Sequence, residues 1–452
     1  MLPVFSQAQN PIFDSVRSEL KTIAEGFRGR YHSPSIVLVV VHKEDILFSE
    51  ALGYADIDNK IPATIDSKYP ILSVTKTFTA TMLMQLVEKG TVSLDDDASK
   101  YMPELNKPDG TSVIGKTSLL QLATHTSGLP RNTQADISFT KDVDRWMMGD
   151  SNIKSIALSS QKEFLNSLKY LESEYTKYQL RRYSDRLYSN LGYSLLGTAL
   201  ERTSKTDCTT YITNNICKPL GMQDTGFLDA TQDYGHMAKG YRYSEILKDH
   251  IATPVFIPNS GMYAGGMYST ARDLAKFISF QFRENPDEDI LSTDNRAMMR
   301  AFNIAWKPSY PFVLHEGAML GYRCEIVFNP ELEIGWVVLT NTTDFEFSRM
   351  NEMLSQLLTP LFNKKAVSDL NKYVGLYLLK GNYGSLEIFM KEGKLYSTYL
   401  SELLSGSPLI PLGNNRFKVE GNGNYSIGYD FIFENNSDKV MLNMGQLMWA
   451  KK

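Results

Sequence analysis

Apolar residues recur along this chain in two rhythms, and the rhythm changes from stretch to stretch. Positions 11 to 28 carry Ile12, Val16, Leu20, Ile23 and Phe27 at steps of three and four, which predicts an amphipathic helix. Two apolar runs then flank His42-Lys43-Glu44-Asp45, the pattern of a β-hairpin. The stretch YPILSVTKTFTATMLMQLVEKG, from Tyr69 to Gly90, reads as a helix: Phe78, Met82, Leu86 and Val87 fall near helical spacing, and Gly90 is the usual stop. Further helices are predicted from Leu119 to Pro130, closed by a Gly-Pro turn, and in the segment TDCTTYITNNIC. Another follows Tyr188-Ser189-Asn190, with Leu195, Leu196 and Leu200. The next begins after the Gly265-Gly266 turn, where Ser269 and Thr270 are N-cap candidates, and the last carries Met350, Leu354, Leu357, Leu358 and Leu361. The stretch VLHEGAMLGYRCEIVFNPELEIGWVVLTNTT reads as three short strands. Residues 132 to 180 are polar and less patterned, as in an insertion or lid.

Beyond Lys365 the rhythm turns to period two. Short aromatic-rich strands recur at about ten-residue spacing with turn signals such as Lys391-Glu392-Gly393 between them. About eight strands in this length predict a small up-and-down β-barrel. The chain therefore divides into two domains, residues 1–364 and 365–452. The first is α/β (α+β), an antiparallel sheet built from the two ends of the domain, flanked by helices and carrying a helical insert.

Composition narrows the function classes. The 452 residues, 42% of them hydrophobic, can bury a sizeable core. With 47 basic against 51 acidic residues and no long block of one sign, nothing marks a nucleic-acid surface. The longest apolar run near the front, Ile36 to Val41, is far too short to span a membrane. The opening MLPVFSQAQN lacks a basic n-region and a full apolar core, but FSQA reads as the small-residue tail of an export signal. The expected location is periplasmic or secreted, with the cytoplasm as the alternative. Cys208 and Cys217 stand about 13 Å apart if their segment is one helix, at ~1.5 Å per residue, too far for a disulfide. No Cys or His spacing suits a metal, and no cofactor is expected.

Candidate chemistry sits at the front of the Tyr69–Gly90 stretch. Ser73 and Lys76 are three residues apart and share one helix face. A serine hydroxyl needs a nearby base to become a nucleophile at neutral pH, and a desolvated lysine can serve. A helix N-terminus would add a partial positive charge beside any oxyanion formed there. Alone the tetrad is a weak signal, since an ordinary helix with an exposed serine and lysine would carry it too.

The ordered set S-x-x-K, then Tyr188-x-Asn190, then His315-x-Gly317 on a strand is more specific. With HTSGLP (His125 to Pro130), PLGMQDTGF (Pro219 to Phe227) and GGMYST, it resembles the serine β-lactamase-like family over roughly residues 12 to 362. That family embraces class C β-lactamases, low-molecular-weight penicillin-binding proteins, D-aminopeptidases and esterases. The C-terminal strands are similar in composition to the lipocalin-like domain of some members. The resemblance implies that Ser73 is the acyl-accepting nucleophile, that Lys76 and Tyr188 move its proton, and that Asn190 orients Lys76 and the substrate's amide. It also implies that the backbone N–H groups of Ser73 and Ala318 form an oxyanion hole.

One departure matters. Where lactamases of this group have Lys-Thr-Gly, this chain has His315-Glu316-Gly317, replacing a permanent cation by a residue that titrates near neutrality and a hydroxyl by a carboxylate. The expectation is a serine hydrolase acting through an acyl-enzyme on a D-residue-containing peptide or amide, or on a small ester. His315 and Glu316 are expected among its substrate-binding residues. The alternatives are a β-lactamase or D,D-carboxypeptidase and, from another class, a catalytically silent penicilloyl-binding scaffold. The expected partner is a small-molecule or peptide substrate, with oligomer contacts through the C-terminal barrel.

Overall fold

The computed structural model describes residues 11–106, 114–171, 187–229, 237–283, 290–309 and 311–362. In the C-terminal part it describes 370–379, 385–391, 393–398, 407–413, 416–419, 430–434, 439–442 and 448–451. The opening MLPVFSQAQN and the 364/365 boundary lie outside these residues. Contacts divide the chain into two compact units, residues 1–308 with 313–351, and residues 309–312 with 352–452.

The first unit is organised on strand Ser35–His42, whose apolar residues run consecutively instead of alternating. Such a run suits a strand covered on both faces, and Ile36 through Val41 are fully buried. It pairs antiparallel with Ile334–Thr340 on one side, Ile36 opposite Thr340, and with Asp45–Asp56 on the other. The full sheet runs Lys307–Ser309, Phe312–Met319, Tyr322–Asn329, Ile334–Thr340, Ser35–His42, Asp45–Asp56, Ile61–Pro62. Its two halves thus come from the two ends of the unit, as the sequence pattern predicts. Helix Pro11–Arg30 packs on the two N-terminal strands, and Ala271–Phe280 packs on Ser35–His42 and Ile334–Thr340. Thr270 caps the latter helix by accepting from the Asp273 N–H.

The Tyr69–Gly90 stretch is not one helix. Tyr69–Pro70 is a short strand paired with Tyr268–Ser269, Leu72–Val74 is a 3-10 turn, and the α-helix proper is Thr75–Glu88. Nor is that helix amphipathic, for every residue from Thr75 to Leu86 is buried. A helix covered all round must place its polar groups internally. Thr77 Oγ1 donates to Val74 O at 2.8 Å, Thr79 Oγ1 to Tyr263 O at 2.7 Å, and Gln85 Nε2 to Ile290 O at 2.7 Å.

Two other boundaries differ from the sequence pattern. The helix expected over Leu119 to Pro130 stops at Thr124, because His125 takes a left-handed backbone with φ +61°. Within the stretch that reads as unpatterned lie helix Ile137–Met147, strand Ser155–Ala157 paired in parallel with Val255–Ile257, and helix Gln161–Ser167. Phe139, Val143 and Trp146, at helical spacing, anchor this insert. Residues 172–186 fall outside the described set. The three cysteines are free and buried.

Among the described residues of the second unit, eight strands pair antiparallel in sequence order, and Gly375–Leu379 pairs back onto Met448–Lys451, which closes the ring. Its interior is filled by side chains: the Tyr373 ring lies 4.7 Å from both Phe417 and Phe433, with Tyr377, Leu386, Ile388 and Leu395 around them.

Candidate active site

Ser73 projects from a constrained turn. Leu72, immediately before it, has φ +51°, a left-handed conformation uncommon for a side chain of that size. Strand Met267–Ser269 holds the turn from behind: Ile71 N–H donates to Met267 O at 2.9 Å, and Met267 N–H to Thr75 Oγ1 at 3.1 Å. That strand is in turn paired with Gly226–Phe227, the end of PLGMQDTGF. On the other side, Gly317 backs directly onto the turn. A Cβ there would come within 2.3 Å of Ile71 O and 2.5 Å of Cys324 Sγ, so only glycine lets strand Phe312–Met319 approach this closely.

Ser73 Oγ accepts two hydrogen bonds, from Lys76 Nζ at 3.1 Å and from Tyr188 OH at 2.8 Å. Lys76 Nζ also donates to Asn190 Oδ1 at 2.9 Å and to Ala264 O at 2.6 Å. The Lys76 side chain is wholly buried. Burial first, and then the Arg131 guanidinium, hold its pKa well below the usual lysine range. A lysine so placed gives up its own proton more readily than an exposed one, which suits it to take a proton from Ser73.

The loop carrying Tyr188 is held by HTSGLP. Ser189 N–H donates to His125 Nδ1 at 3.1 Å, Ser189 Oγ donates to Pro130 O at 2.7 Å, and Leu187 N–H donates to His125 O at 2.9 Å. Asn190 and Leu191 N–H both donate to Arg131 O. The His125 ring lies against Tyr188, centroids 4.3 Å apart. HTSGLP therefore sets the position of Tyr188 and Asn190.

The structure brings Ser73, Lys76, Tyr188 and Asn190 into one hydrogen-bonded cluster. Ala318 lines the cleft with Ser73 on both of its arms. His315 is buried, and its Nδ1 is bonded to Ala305 O, yet the residue still lines the cleft beside Tyr188. Glu316 also lines the cleft, is half-exposed, and forms an ion pair with Lys307 Nζ at 3.3 Å.

Several cleft residues escape the sequence reading, among them Arg131, Asn132 and Lys307. Arg131 lines both arms, with its guanidinium carbon 5.1 Å from the Tyr188 ring centroid. Asn132 Oδ1 accepts from Asn190 Nδ2 at 3.1 Å, and Lys307 meets Glu316. The only signal for the first two is their place directly after HTSGLP; Lys307 sits in an irregular KPSYPF segment with no signal at all. Among the described residues no three His, Cys, Asp or Glu side chains converge to hold a metal ion, and no helix is long and apolar enough to cross a membrane.

Residues 20–358 match the family model described as Beta-lactamase. Beta-lactamase-like protein 2 of Dictyostelium discoideum is 26% identical over 442 residues, which cover 91% of this chain and 71% of the relative. Among solved structures, the octameric penicillin-binding protein homologue from Pyrococcus abyssi superposes with a TM-score of 0.61 at 23% identity, covering 96% of this chain and 99% of that one. EstCE1, a hydrolase with promiscuous acyltransferase activity, superposes with a TM-score of 0.58 at 18% identity, covering 74% of this chain and 95% of its own.

Proposed function

Given that this chain belongs to the Beta-lactamase family, we propose that it is a serine hydrolase working through an acyl-enzyme. The observation that carries this reading is the pair of hydrogen bonds converging on Ser73 Oγ, 3.1 Å from Lys76 Nζ and 2.8 Å from Tyr188 OH. Ser73 Oγ attacks the substrate carbonyl while its proton passes to the Lys76–Tyr188 pair. The carbonyl oxygen, now negative, is met by the backbone N–H groups of Ser73 and Ala318. The C–N or C–O bond then breaks, and the departing amine or alcohol takes the proton. Water repeats the sequence on the acyl-enzyme and releases the acid, so one water is consumed per turnover.

The preferred substrates are a D-residue-containing peptide or amide, or a small ester. The lactamase and D,D-carboxypeptidase readings lose ground because the permanent cation of Lys-Thr-Gly is absent: His315 is buried and tied to a backbone carbonyl, and Glu316 adds a negative charge. A fluorophosphonate probe tests the core of the proposal. One covalent adduct by intact mass is expected, lost in Ser73→Ala; an unlabelled protein, or a label that survives in Ser73→Ala, supports the silent scaffold instead. Export and assembly through the C-terminal strands belong to the same proposal. They are checked by cell fractionation and by light scattering of the full chain.

A further inference from the structure

The cleft at Ser73 has two arms that share Ser73, Arg131 and Ala318 and differ in the side chains beyond them. One, of about 300 Å³, is walled by Phe139, Val143, Leu158, Phe256, Met319 and Leu320 and also carries Asn132, Asn190, Arg323 and Thr343. The other, of about 360 Å³, carries Arg131, Tyr188, Lys307, His315 and Glu316. Ser73 and Ala318 stand where the arms meet. The apolar wall is a packed structure. Helix Ile137–Met147 supplies Phe139 and Val143, strand Val255–Ile257 supplies Phe256, and all three pack against a buried cluster of Trp146, Ile156 and Leu320. The Phe139 and Phe256 rings meet edge to face with centroids 6.2 Å apart.

Tyr188 decides which half of a substrate enters which arm. Its hydroxyl, bonded to Ser73 Oγ, is placed to return a proton to the departing group, and Tyr188 lines the charged arm only. The geometry points to a specific assignment: the charged arm receives the leaving group, and the apolar arm is an acyl pocket for an extended or aromatic hydrocarbon acyl group. This rests on the hydrolase reading of Ser73. A substrate carbonyl held between Ser73 and Ala318 then directs its acyl chain toward Phe139 and Phe256. An alkyl leaving group would instead lie over the Lys307–Glu316 pair and strip water from it without replacing its hydrogen bonds. The substrates are esters or amides of an apolar acid with a small or polar departing group. In the ester case Ser73 Oγ forms the new bond to the acyl carbon, the acyl–oxygen bond breaks, and the alcohol leaves with the proton.

Two isomeric esters isolate this assignment, because ethyl hexanoate and hexyl acetate contain the same atoms and differ only in which side bears the chain. The full-length protein, first shown to hydrolyse p-nitrophenyl acetate and to take a fluorophosphonate label, is assayed on both by titration of the released acid. At least about a tenfold higher kcat/KM is expected on ethyl hexanoate, the gain from burying two or more extra methylenes on the acyl side. Val143→Trp, or Leu158→Trp should the first fail to fold, fills the apolar arm and should cut the hexanoate-to-acetate ratio, measured on ethyl esters, about tenfold. Equal rates on the isomers, a preference for hexyl acetate, or an unchanged ratio in the folded tryptophan variants overturns the acyl-pocket assignment while the hydrolase reading stands. Absence of both label and p-nitrophenyl acetate turnover overturns both.

Discussion

At the residue scale the site is governed by charge held out of water. Lys76 is buried beside a second cation, Arg131, which lowers its pKa after burial itself. If neutral Lys76 is the working base, turnover of an uncharged ester rises with pH through the Lys76 titration. Arg131→Gln removes the cationic neighbour, so Lys76 holds its proton more tightly and that limb should move to higher pH. A limb that stays in place in the kcat profile would assign it to another group. Glu325 is the opposite case. It is 2% exposed, accepts from Asn351 Nδ2 at 2.8 Å, and burial pushes its pKa up to about 8. A carboxyl raised from its ordinary value near 4.5 stabilises the fold fully below that value and loses the contribution as pH rises toward 8. Glu325→Gln should therefore melt about as the parent does at pH 5 but several degrees higher at pH 8.5, by thermal unfolding at both. That Ser73, Lys76, Tyr188 and Asn190 come together was legible because motif spacing carries them. Arg131 and Glu325 were not: what makes each unusual is the company of residues far away in sequence.

At the element scale, the approach of one strand to one turn sets the site. Strand Phe312–Met319 reaches the Ser73 turn only because Gly317 has no side chain. Gly317→Ala should retain the fold, lower the melting temperature by several degrees, and reduce kcat at least tenfold, since the methyl group must displace the Ile71 carbonyl or the strand carrying Ala318. Near-parental kcat in a folded variant would show that the approach is not needed. Long strands were legible because a buried run such as Ile36 to Val41 or an alternating one announces itself, while two- and three-residue strands such as Tyr69–Pro70 and Ser155–Ala157 carry no such pattern. Helix ends were read poorly for physical reasons. The Thr75–Glu88 helix was given too early a start because Tyr69–Pro70 is apolar enough to extend the pattern yet is claimed by Tyr268–Ser269 across the chain. The helix at Leu119 ends early because His125 adopts a left-handed backbone to receive the Ser189 N–H, a tertiary demand that no local pattern shows.

For the whole molecule, the two-domain reading becomes a proposal about independent folding. A chain of residues 1–364 contains the complete seven-stranded sheet and the Thr75–Glu88 helix, so it should be soluble, melt cooperatively and retain the Ser73 label. Inclusion-body protein with no cooperative transition after refolding would show that the C-terminal strands complete the fold. The fold class was legible because mixed helical and strand patterning gives way to period-two strands toward the C-terminus, whereas contacts divide the chain at 351/352.

The pairing of Ile36 with Thr340 also has a consequence for synthesis. Translation at about 5–20 residues per second separates these two residues by roughly 15–60 s, during which Ser35–His42 has left the ribosome without its second neighbour. A strand with six consecutive apolar residues, Ile36 to Val41, left with an open edge for that long is a template for pairing with other chains. Nascent chains of this protein should therefore depend on holdase chaperones until strand Ile334–Thr340 emerges. The Phe312–Met319 strand beside Ser73 joins the Ser35–His42 half of the sheet only through Ile334–Thr340. The surroundings of Ser73 are thus completed late in synthesis, when the two ends of the sheet have met.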